Sequence, residues 1–310
     1  MLKHRLSLGP LLIALLLLGA WLDAWIDRTP TPDGLRDLIG RETLPPGVVV
    51  FALTIVLAVM GARELARILR HKGVNASTGL TAVLAVGGVC LTSLAPSAAR
   101  SPDGLIFGVL VAHGVTAVVL LGSLAFYARK RQTEGMIAAA GGALLGYVYI
   151  GVLLGFLVAI RREHAVWVLI WVLLVTKSCD IGAYFTGRAI GRRKLAPWVS
   201  PGKTWEGLVG GMGVAAGVGA LGALALRSVL EEGEWTPGLV EGAVAGGVFA
   251  VVGQLGDLVA SLLKRDAGVK DAGTSLPGFG GVLDVIDSPL AVGLVAYWWM
   301  RLSEHGLMSG

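Results

Sequence analysis

Runs of about 20 apolar residues recur along the whole length of this sequence, and no other feature constrains its fold as strongly. As a helix, each run is long enough to cross a hydrocarbon core of about 30 Å. Of the 310 residues, 55% are hydrophobic and 15% are charged, whereas soluble domains carry about 25% charged residues. Because a soluble core could not enclose so much apolar sequence, we expect an all-α, polytopic integral membrane helical bundle.

The apolar runs predict about nine transmembrane helices. Their expected ranges are 6–26, 47–69, 77–96, 104–127, 135–160, 165–187, 207–230, 239–263 and 288–303. The first run is too long for a secretory signal and lacks a small-residue cleavage site, so we interpret it as a retained helix. The second ends among Arg63, Glu64 and Arg67, and we expect that end to be amphipathic and to reach the surface by snorkelling.

Lysine and arginine are distributed unevenly between the two sets of connections that nine helices create. If the N-terminus is cytoplasmic, the inner set holds roughly twice as many of them as the outer set, which is the bias that the positive-inside rule requires. The long polar connections 188–206 and 264–287 belong to the inner set, and we expect any chemistry to lie there. The expected organisation is N-terminal transmembrane helices over 1–170 and a C-terminal catalytic transmembrane region with cytoplasmic loops over 171–310.

Ionisable residues also lie within the apolar runs, where a charge costs at least roughly 2.5 kcal/mol. Lys177 and Asp180 are three residues apart on an expected helix and could neutralise each other. A structural ion pair and a functional role are both open for these two residues.

A polar stripe follows in the eighth run, where Asp257, Ser261 and Arg265 recur every four residues and share one helix face. Farther along, Asp284 and Asp287 are spaced three apart where the ninth helix is expected to open. Two carboxylates on one face, unbalanced by a neighbouring cation, are typical of a Mg²⁺ site. A pair of surface carboxylates without a metal is the alternative.

The segment Ser-Pro-Gly-Lys-Thr-Trp-Glu-Gly at 200–207 contains Gly-Lys-Thr but is not a Walker A loop. The required earlier glycine is replaced by Pro197, and no strand is expected before it. Lys203 and the neighbouring hydroxyls can still hold phosphate, because they lie in a turn just before a helix N-terminus. The glycines of 207–222 are interpreted as a surface for close helix packing.

The segment 261–287 closely resembles the signature of the phosphatidate cytidylyltransferase family. That signature has Ser, two residues, Lys-Arg, four residues, Lys-Asp, then a Pro-Gly-His-Gly-Gly turn and an Asp-Arg-x-Asp end, and all of these spacings agree. The Gly-Asp-Leu at 256–258 and the 200–207 box extend the resemblance to about residues 175–290.

Two positions depart from the family pattern. Phe279 stands where the family has histidine, and Val285 stands where it has arginine. A phosphate monoester with a second pKa of about 6 is largely ionised at pH 7, so phosphatidate needs no general base and the histidine is dispensable for attack. Loss of the arginine removes a phosphate or carboxylate partner. An inactive relative is therefore an alternative to an active enzyme.

The resemblance implies an enzyme that transfers the cytidylyl group of CTP to phosphatidic acid, giving CDP-diacylglycerol and pyrophosphate. It implies Mg²⁺, with a second metal ion as an option, held by Asp257, Asp284 and Asp287. The other implied site residues would bind phosphate or line the polar cavity. They are Lys203, Lys264, Arg265, Lys270 and Asp271 as catalytic residues, and Ser200, Lys203, Thr204, Ser261 and Asp180 as ligand-binding residues.

The expected partners are CTP, phosphatidic acid and membrane lipids, with no nucleic acid, and a homodimer is left open. The expected location is the bacterial inner (plasma) membrane. Two other classes compete with this interpretation. A CTP-dependent membrane lipid kinase would share the basic loops but transfer the γ-phosphoryl group, and a non-catalytic lipid-binding or transport protein would use the intramembrane charges as a path.

Overall fold

The computed structural model describes residues 2–40, 42–98, 102–129, 131, 133–276 and 278–304. Within these ranges the chain is a bundle of long helices with one short β-hairpin. The helices are α1 Leu2–Ile26, α2 Asp33–Ile39, α3 Val48–His71, α4 Thr78–Ala98, α5 Pro102–Ala128, α6 Met136–Leu145, α7 Leu153–Glu163, α8 Val166–Ile190, α9 Trp205–Val229, α10 Leu239–Asp266 and α11 Leu283–Glu304. A π-helical segment, Gly146–Val152, joins α6 to α7, and strands β1 Lys194–Ala196 and β2 Ser200–Thr204 pair antiparallel.

Among the described residues, seven helical stretches are long and apolar enough to cross a membrane. They lie in α1, α3, α5, the continuous α6–α7 stretch, α8, α9 and α10. Helix α4 adds the shorter apolar stretch Thr78–Leu94, and α11 is the last long helix. These helices follow the predicted segments in order, which confirms the all-α polytopic membrane bundle.

The ninth helix begins earlier than the sequence indicated. The expected range starts at residue 288, but α11 starts at Leu283 and contains Pro289. The earlier start is possible because side-chain carboxylates accept hydrogen bonds from the backbone N–H groups that precede and open the helix. The sequence did not indicate the short α2 or the π-helical segment, and the expectation that no strand precedes residues 200–207 was wrong, because β1 pairs with β2 there.

Glycines set the distance between α8, α9 and α10, which form the tightest part of the bundle. A Cβ atom on Gly211 of α9 would lie 2.7 Å from the carbonyl oxygen of Cys179 in α8. About two turns farther along α9, a Cβ atom on Gly219 would collide with the carbonyl oxygen of Gly242 in α10. The interpretation of 207–222 as a helix-packing surface is therefore confirmed.

The π-helical segment packs against α4 in the same close manner. A Cβ atom on Gly88 of α4 would lie 2.7 Å from the carbonyl oxygen of Tyr147. This packing holds Tyr149 in the interior, where its hydroxyl has no hydrogen-bond partner among the described residues. A buried hydroxyl without a partner is unfavourable, and π-helical turns are frequent at functional sites, so Tyr149 is a candidate functional residue.

A buried ion cluster ties α1 and α7 to the N-terminal end of α3. The guanidinium of Arg161 pairs with Asp23 and Asp27 and donates to the carbonyl oxygen of His164 at 3.1 Å. The other oxygen of Asp23 accepts hydrogen bonds from the backbone N–H groups of Val49 and Val50 at 2.9 and 3.1 Å. Asp23 therefore serves as an N-terminal cap for α3, contributed by another helix.

Candidate active site

The site is built around two carboxylates, and the first belongs to Asp257 of α10. Its Oδ2 atom lies 2.5 Å from Lys203 Nζ, at the end of the hairpin, and its Oδ1 accepts from the hydroxyl of Ser261 at 3.3 Å. The preceding Gly256 lets α10 approach α11, since a Cβ atom there would lie 2.7 Å from the carbonyl oxygen of Asp287. Close helix packing thus places two of the predicted carboxylates side by side.

The second carboxylate belongs to Asp287 of α11. Lys177 of α8 lies between two carboxylates, with its Nζ 3.6 Å from Asp180 and 3.9 Å from Asp287. The expected Lys177–Asp180 pair therefore exists, and it is shared with α11. Asp287 is buried, and its Oδ1 accepts from the backbone N–H of Ser288 at 2.6 Å. The negative charge of Asp257 acts on both Asp180 and Asp287, so the three carboxylates form one electrostatic group.

Asp284 has a different environment. Its Oδ1 accepts from Lys264 Nζ at 2.6 Å, and its Oδ2 accepts from the backbone N–H groups of Ala272 and Gly281 at 2.9 and 2.8 Å. The expectation that the carboxylates of α11 lack a neighbouring cation was wrong, because α8 and α10 each bring a lysine to them. Both oxygens of Asp284 are engaged, which makes it an anchor for the loop before α11.

The hairpin residues hold the site in place from outside the bundle. Thr204 is buried, and its hydroxyl accepts from the backbone N–H of Gly207, which caps α9. Arg265 is directed to this hairpin, where its Nε donates to the carbonyl oxygen of Val199 at 3.2 Å. Ser200 is half-buried at the start of β2. In the structure Thr204 and Arg265 therefore position the strand that carries Lys203.

Lys270 and Asp271 lie apart from these ion pairs, exposed on the loop after α10. With Arg67 and His71 of α3, they line a cavity of about 300 Å³. The loop thus has a basic, solvent-facing side in addition to its contacts with Asp284.

The predicted three-aspartate metal site fits only in part. Among the described residues, no three His, Cys, Asp or Glu side chains are arranged to hold a metal ion together. Mg²⁺ is commonly bound by one or two carboxylates with phosphates completing its ligands, and Asp257 and Asp287 provide such a pair. Asp257 already pairs with one cationic group, the ammonium of Lys203, so its carboxylate is placed to bind positive charge. Asp284 is held by Lys264 and by two backbone N–H groups, and its role as a third ligand stays a prediction.

Two residues of the site were not found from the sequence. Tyr149 of the π-helical segment is under the electrostatic influence of Asp287 and Asp257, and its buried hydroxyl has no partner among the described residues. Glu64 of α3 is buried and accepts three hydrogen bonds from the loop before α11. The predicted snorkelling therefore holds for the exposed Arg63 and Arg67 but was wrong for Glu64. A carboxylate between two arginines inside the expected 47–69 helix was the available signal.

Comparison with known proteins connects this geometry to a family. The sequence is 42% identical over 137 residues to the phosphatidate cytidylyltransferase of Haemophilus influenzae, which is 44% of this chain and 46% of that protein. It is 38% identical over 165 residues to that of Bacillus subtilis, covering 52% and 58% of the two chains. The chain therefore matches about half the length of these two relatives.

A longer alignment joins the chain to the phosphatidate cytidylyltransferase of a Synechocystis species, with 32% identity over 283 residues, 81% of this chain and 88% of that protein. The family model described as the cytidylyltransferase family matches residues 43–303. These matches extend well beyond the signature, into the N-terminal helices. The resemblance inferred from 261–287 is thus confirmed, and the chain belongs to the cytidylyltransferase family.

Proposed function

We propose that this chain transfers the cytidylyl group of CTP to phosphatidic acid, giving CDP-diacylglycerol and pyrophosphate. The observation that supports this function most directly is a cluster of ion pairs between the hairpin and helices α8, α10 and α11. In it, Lys203 pairs with Asp257 and Lys177 pairs with Asp287. Its residues come from the segments that resemble the family signature. The printed names of the relatives support the same reaction.

The reaction needs little proton transfer. A phosphate oxygen of phosphatidic acid attacks the α-phosphorus of CTP, a new P–O bond forms, and the bond to the β-phosphate oxygen breaks with release of pyrophosphate. The attacking phosphate is already largely ionised at pH 7. Charge neutralisation and in-line positioning are therefore the main tasks of the site. Lys203 and Lys264 can turn from their aspartates to phosphate oxygens. The hydroxyl of Tyr149, which has no partner among the described residues, can donate to one.

The charge of the cluster favours a divalent cation. Lys177, Lys203 and Lys264 face four aspartates, so the lysines alone leave no positive excess for two anionic substrates. We propose that Asp257 and Asp287 hold Mg²⁺. When bound, Mg²⁺ would neutralise phosphate charge and help the pyrophosphate to leave. A second metal ion stays a prediction from the resemblance.

We also propose the orientation that the positive-inside bias predicts, with the hairpin and the loop before α11 on the cytoplasmic side of the bacterial inner membrane. CTP would then reach the site from the cytoplasm. The acyl chains of phosphatidic acid would stay in lipid, with the headgroup entering between helices. The homodimer stays a prediction.

The test is a product assay with the purified protein in vesicles that contain phosphatidic acid, with CTP labelled at either the α- or the γ-phosphate and with Mg²⁺ present. We expect the α-label in the lipid fraction and the γ-label in released pyrophosphate. A lipid kinase would instead place the γ-label in lipid. A lipid-binding or transport protein would place neither label there, and either of these results would refute the proposal.

Phe279→His is expected to change kcat by less than about tenfold, equivalent to about 1.4 kcal/mol. The ring of Phe279 is half-buried, and its Cζ atom would be 3.9 Å from a Cβ atom placed on Gly9, so the side chain packs against α1. Together with an attacking phosphate that needs no base, this makes histidine unnecessary here. The same α-label assay measures the rate. A rise in kcat of a hundredfold or more would show that this chain is impaired because it lacks the histidine.

A further inference from the structure

Glu64 lies in α3, far from the signature in sequence, and its carboxylate is directed into the loop that precedes α11. The residue is 2% exposed. Its Oε1 accepts from the hydroxyl of Ser275 at 2.6 Å and from the backbone N–H of Val282 at 3.0 Å. Its Oε2 accepts from the backbone N–H of Leu283 at 2.8 Å.

Two glycines leave room for this carboxylate. A Cβ atom on Gly273 would lie 2.6 Å from Glu64 Oε1, and a Cβ atom on Gly281 would collide with Glu64 Oε2. Gly273 and Gly281, near the two ends of this loop, thus both lie against one side chain of another helix. Glu64 contacts both ends of the loop, so it determines where the loop leaves and re-enters the bundle.

The carboxylate also caps α11. Val282 and Leu283 supply N–H groups at the N-terminus of this helix, where no intrahelical acceptor exists and a negative charge is favourable. Asp284 follows immediately, and Asp287 is one helical turn beyond it. The position of α11 along its axis therefore depends on Glu64, and both aspartates move with that helix.

We propose that Glu64 is a positioning residue of the active site: by capping α11 and anchoring the loop, it holds Asp287 against Asp257 and Asp284 against Lys264. This inference rests on the proposed function for its kinetic part. Displacements of about 1 Å in such a site can cost about a hundredfold in rate. The aspartates of the C-terminal signature would therefore depend for their positions on a residue of the N-terminal helices.

Glu64→Gln is the first variant to measure. The amide keeps the shape of the side chain, but its NH₂ group faces hydrogen-bond donors of the loop. We expect kcat at saturating CTP and phosphatidic acid, per folded molecule, to fall at least about 30-fold. The matched control is Asp23→Asn, which alters another buried carboxylate that caps a helix through two backbone N–H groups, at the opposite end of α3. We expect it to lower stability and to leave kcat within threefold of the wild type.

Hydrogen exchange supplies a readout that does not depend on activity. In Glu64→Gln, the amides of Val282 and Leu283 should exchange at least tenfold faster than in the wild type, while those of Val49 and Val50 should not change. Asp23→Asn should show the reverse pattern. If Glu64→Gln does not fold, Ser275→Ala removes one of the three hydrogen bonds and is expected to lower kcat about threefold to tenfold.

The outcomes separate this inference from the proposed function. A wild-type protein that forms no CDP-lipid would refute the function, and the exchange rates would still test the cap. An active wild type with kcat within threefold for Glu64→Gln, or for Ser275→Ala where the first variant cannot be prepared, would overturn the inference. Unchanged exchange at Val282 and Leu283 would overturn it as well.

Discussion

Asp257→Asn and Asp287→Asn are each expected to lower kcat at least about 100-fold while the protein stays folded in the membrane. Removal of one preorganised electrostatic partner of a transition state costs about that much. Asparagine keeps the volume of aspartate but not its charge, so the change tests charge alone. Both residues lie in the lysine–aspartate cluster, paired with Lys203 and Lys177. The measurement is the rate of α-label transfer from CTP to lipid, per folded molecule.

Asp284→Asn is the matched control, because it is a third aspartate of the same signature with a different environment. Its carboxylate is engaged by Lys264 and by two backbone N–H groups. We expect this variant to lose activity by loosening the loop, with the Mg²⁺ concentration for half-maximal rate unchanged. In Asp257→Asn and Asp287→Asn that concentration should rise.

Thermal stability provides the second readout for the metal. Mg²⁺ that binds the folded state should raise the melting temperature of the wild type by ligand linkage and leave the Asp257→Asn/Asp287→Asn double variant unaffected. Near-normal CDP-lipid synthesis by both single variants would refute the assignment of these two aspartates to the active site. An equal Mg²⁺ response in wild type and double variant would refute the assignment of the metal to these two aspartates.

Arg161→Met is expected to have the largest effect on stability, about 3–5 kcal/mol. The guanidinium is almost fully buried with Asp23 and Asp27, and its removal leaves the carboxylate of Asp23 charged in the interior. Methionine preserves much of the apolar volume, so the loss reports the ion pair. Thermal unfolding in detergent would measure it. Activity per folded molecule should change little, because this cluster is at the opposite end of α3 from Glu64.

Arg36→Met is the control for this prediction. Arg36 is half-exposed and lies 4.0 Å from a fully exposed Asp33, an arrangement that adds little to stability. Adding Asp23→Asn to Arg161→Met should recover part of the lost stability, since it removes the unpaired charge. Equal melting temperatures for Arg161→Met and Arg36→Met would contradict the assignment of the buried cluster as a main stabilising contact.

The order and number of the long helices could be predicted because each one is specified by contiguous residues. A run of about 20 apolar side chains satisfies its backbone hydrogen bonds internally and matches the bilayer thickness, whatever its neighbours are. The same reasoning identified the glycines of 207–222 as a packing surface. It missed the π-helical segment, because a change in helical hydrogen-bonding register has no hydrophobic pattern of its own.

The residues of the site could be named from the sequence, but their partners could not. Lys203 and Asp257 meet only because the hairpin folds back over α10, and Lys264 meets Asp284 across the loop. Spacing along α11 indicated two equivalent carboxylates. The tertiary structure distinguishes them, since Asp284 binds the loop and Lys264, while Asp287 is directed toward Asp257 and Lys177.

The sequence by itself determined the membrane architecture and the family, because hydrophobic length and motif spacing are local properties. Only the tertiary structure decided that Glu64 belongs with the site, since Glu64 and Ser275 are 211 residues apart and hydrogen-bonded. Unlike apolar side chains in lipid, a buried carboxylate must find specific donors. Which donors it finds depends on how α3, α10 and α11 pack. The hydrophobic pattern of a single helix does not predict this packing.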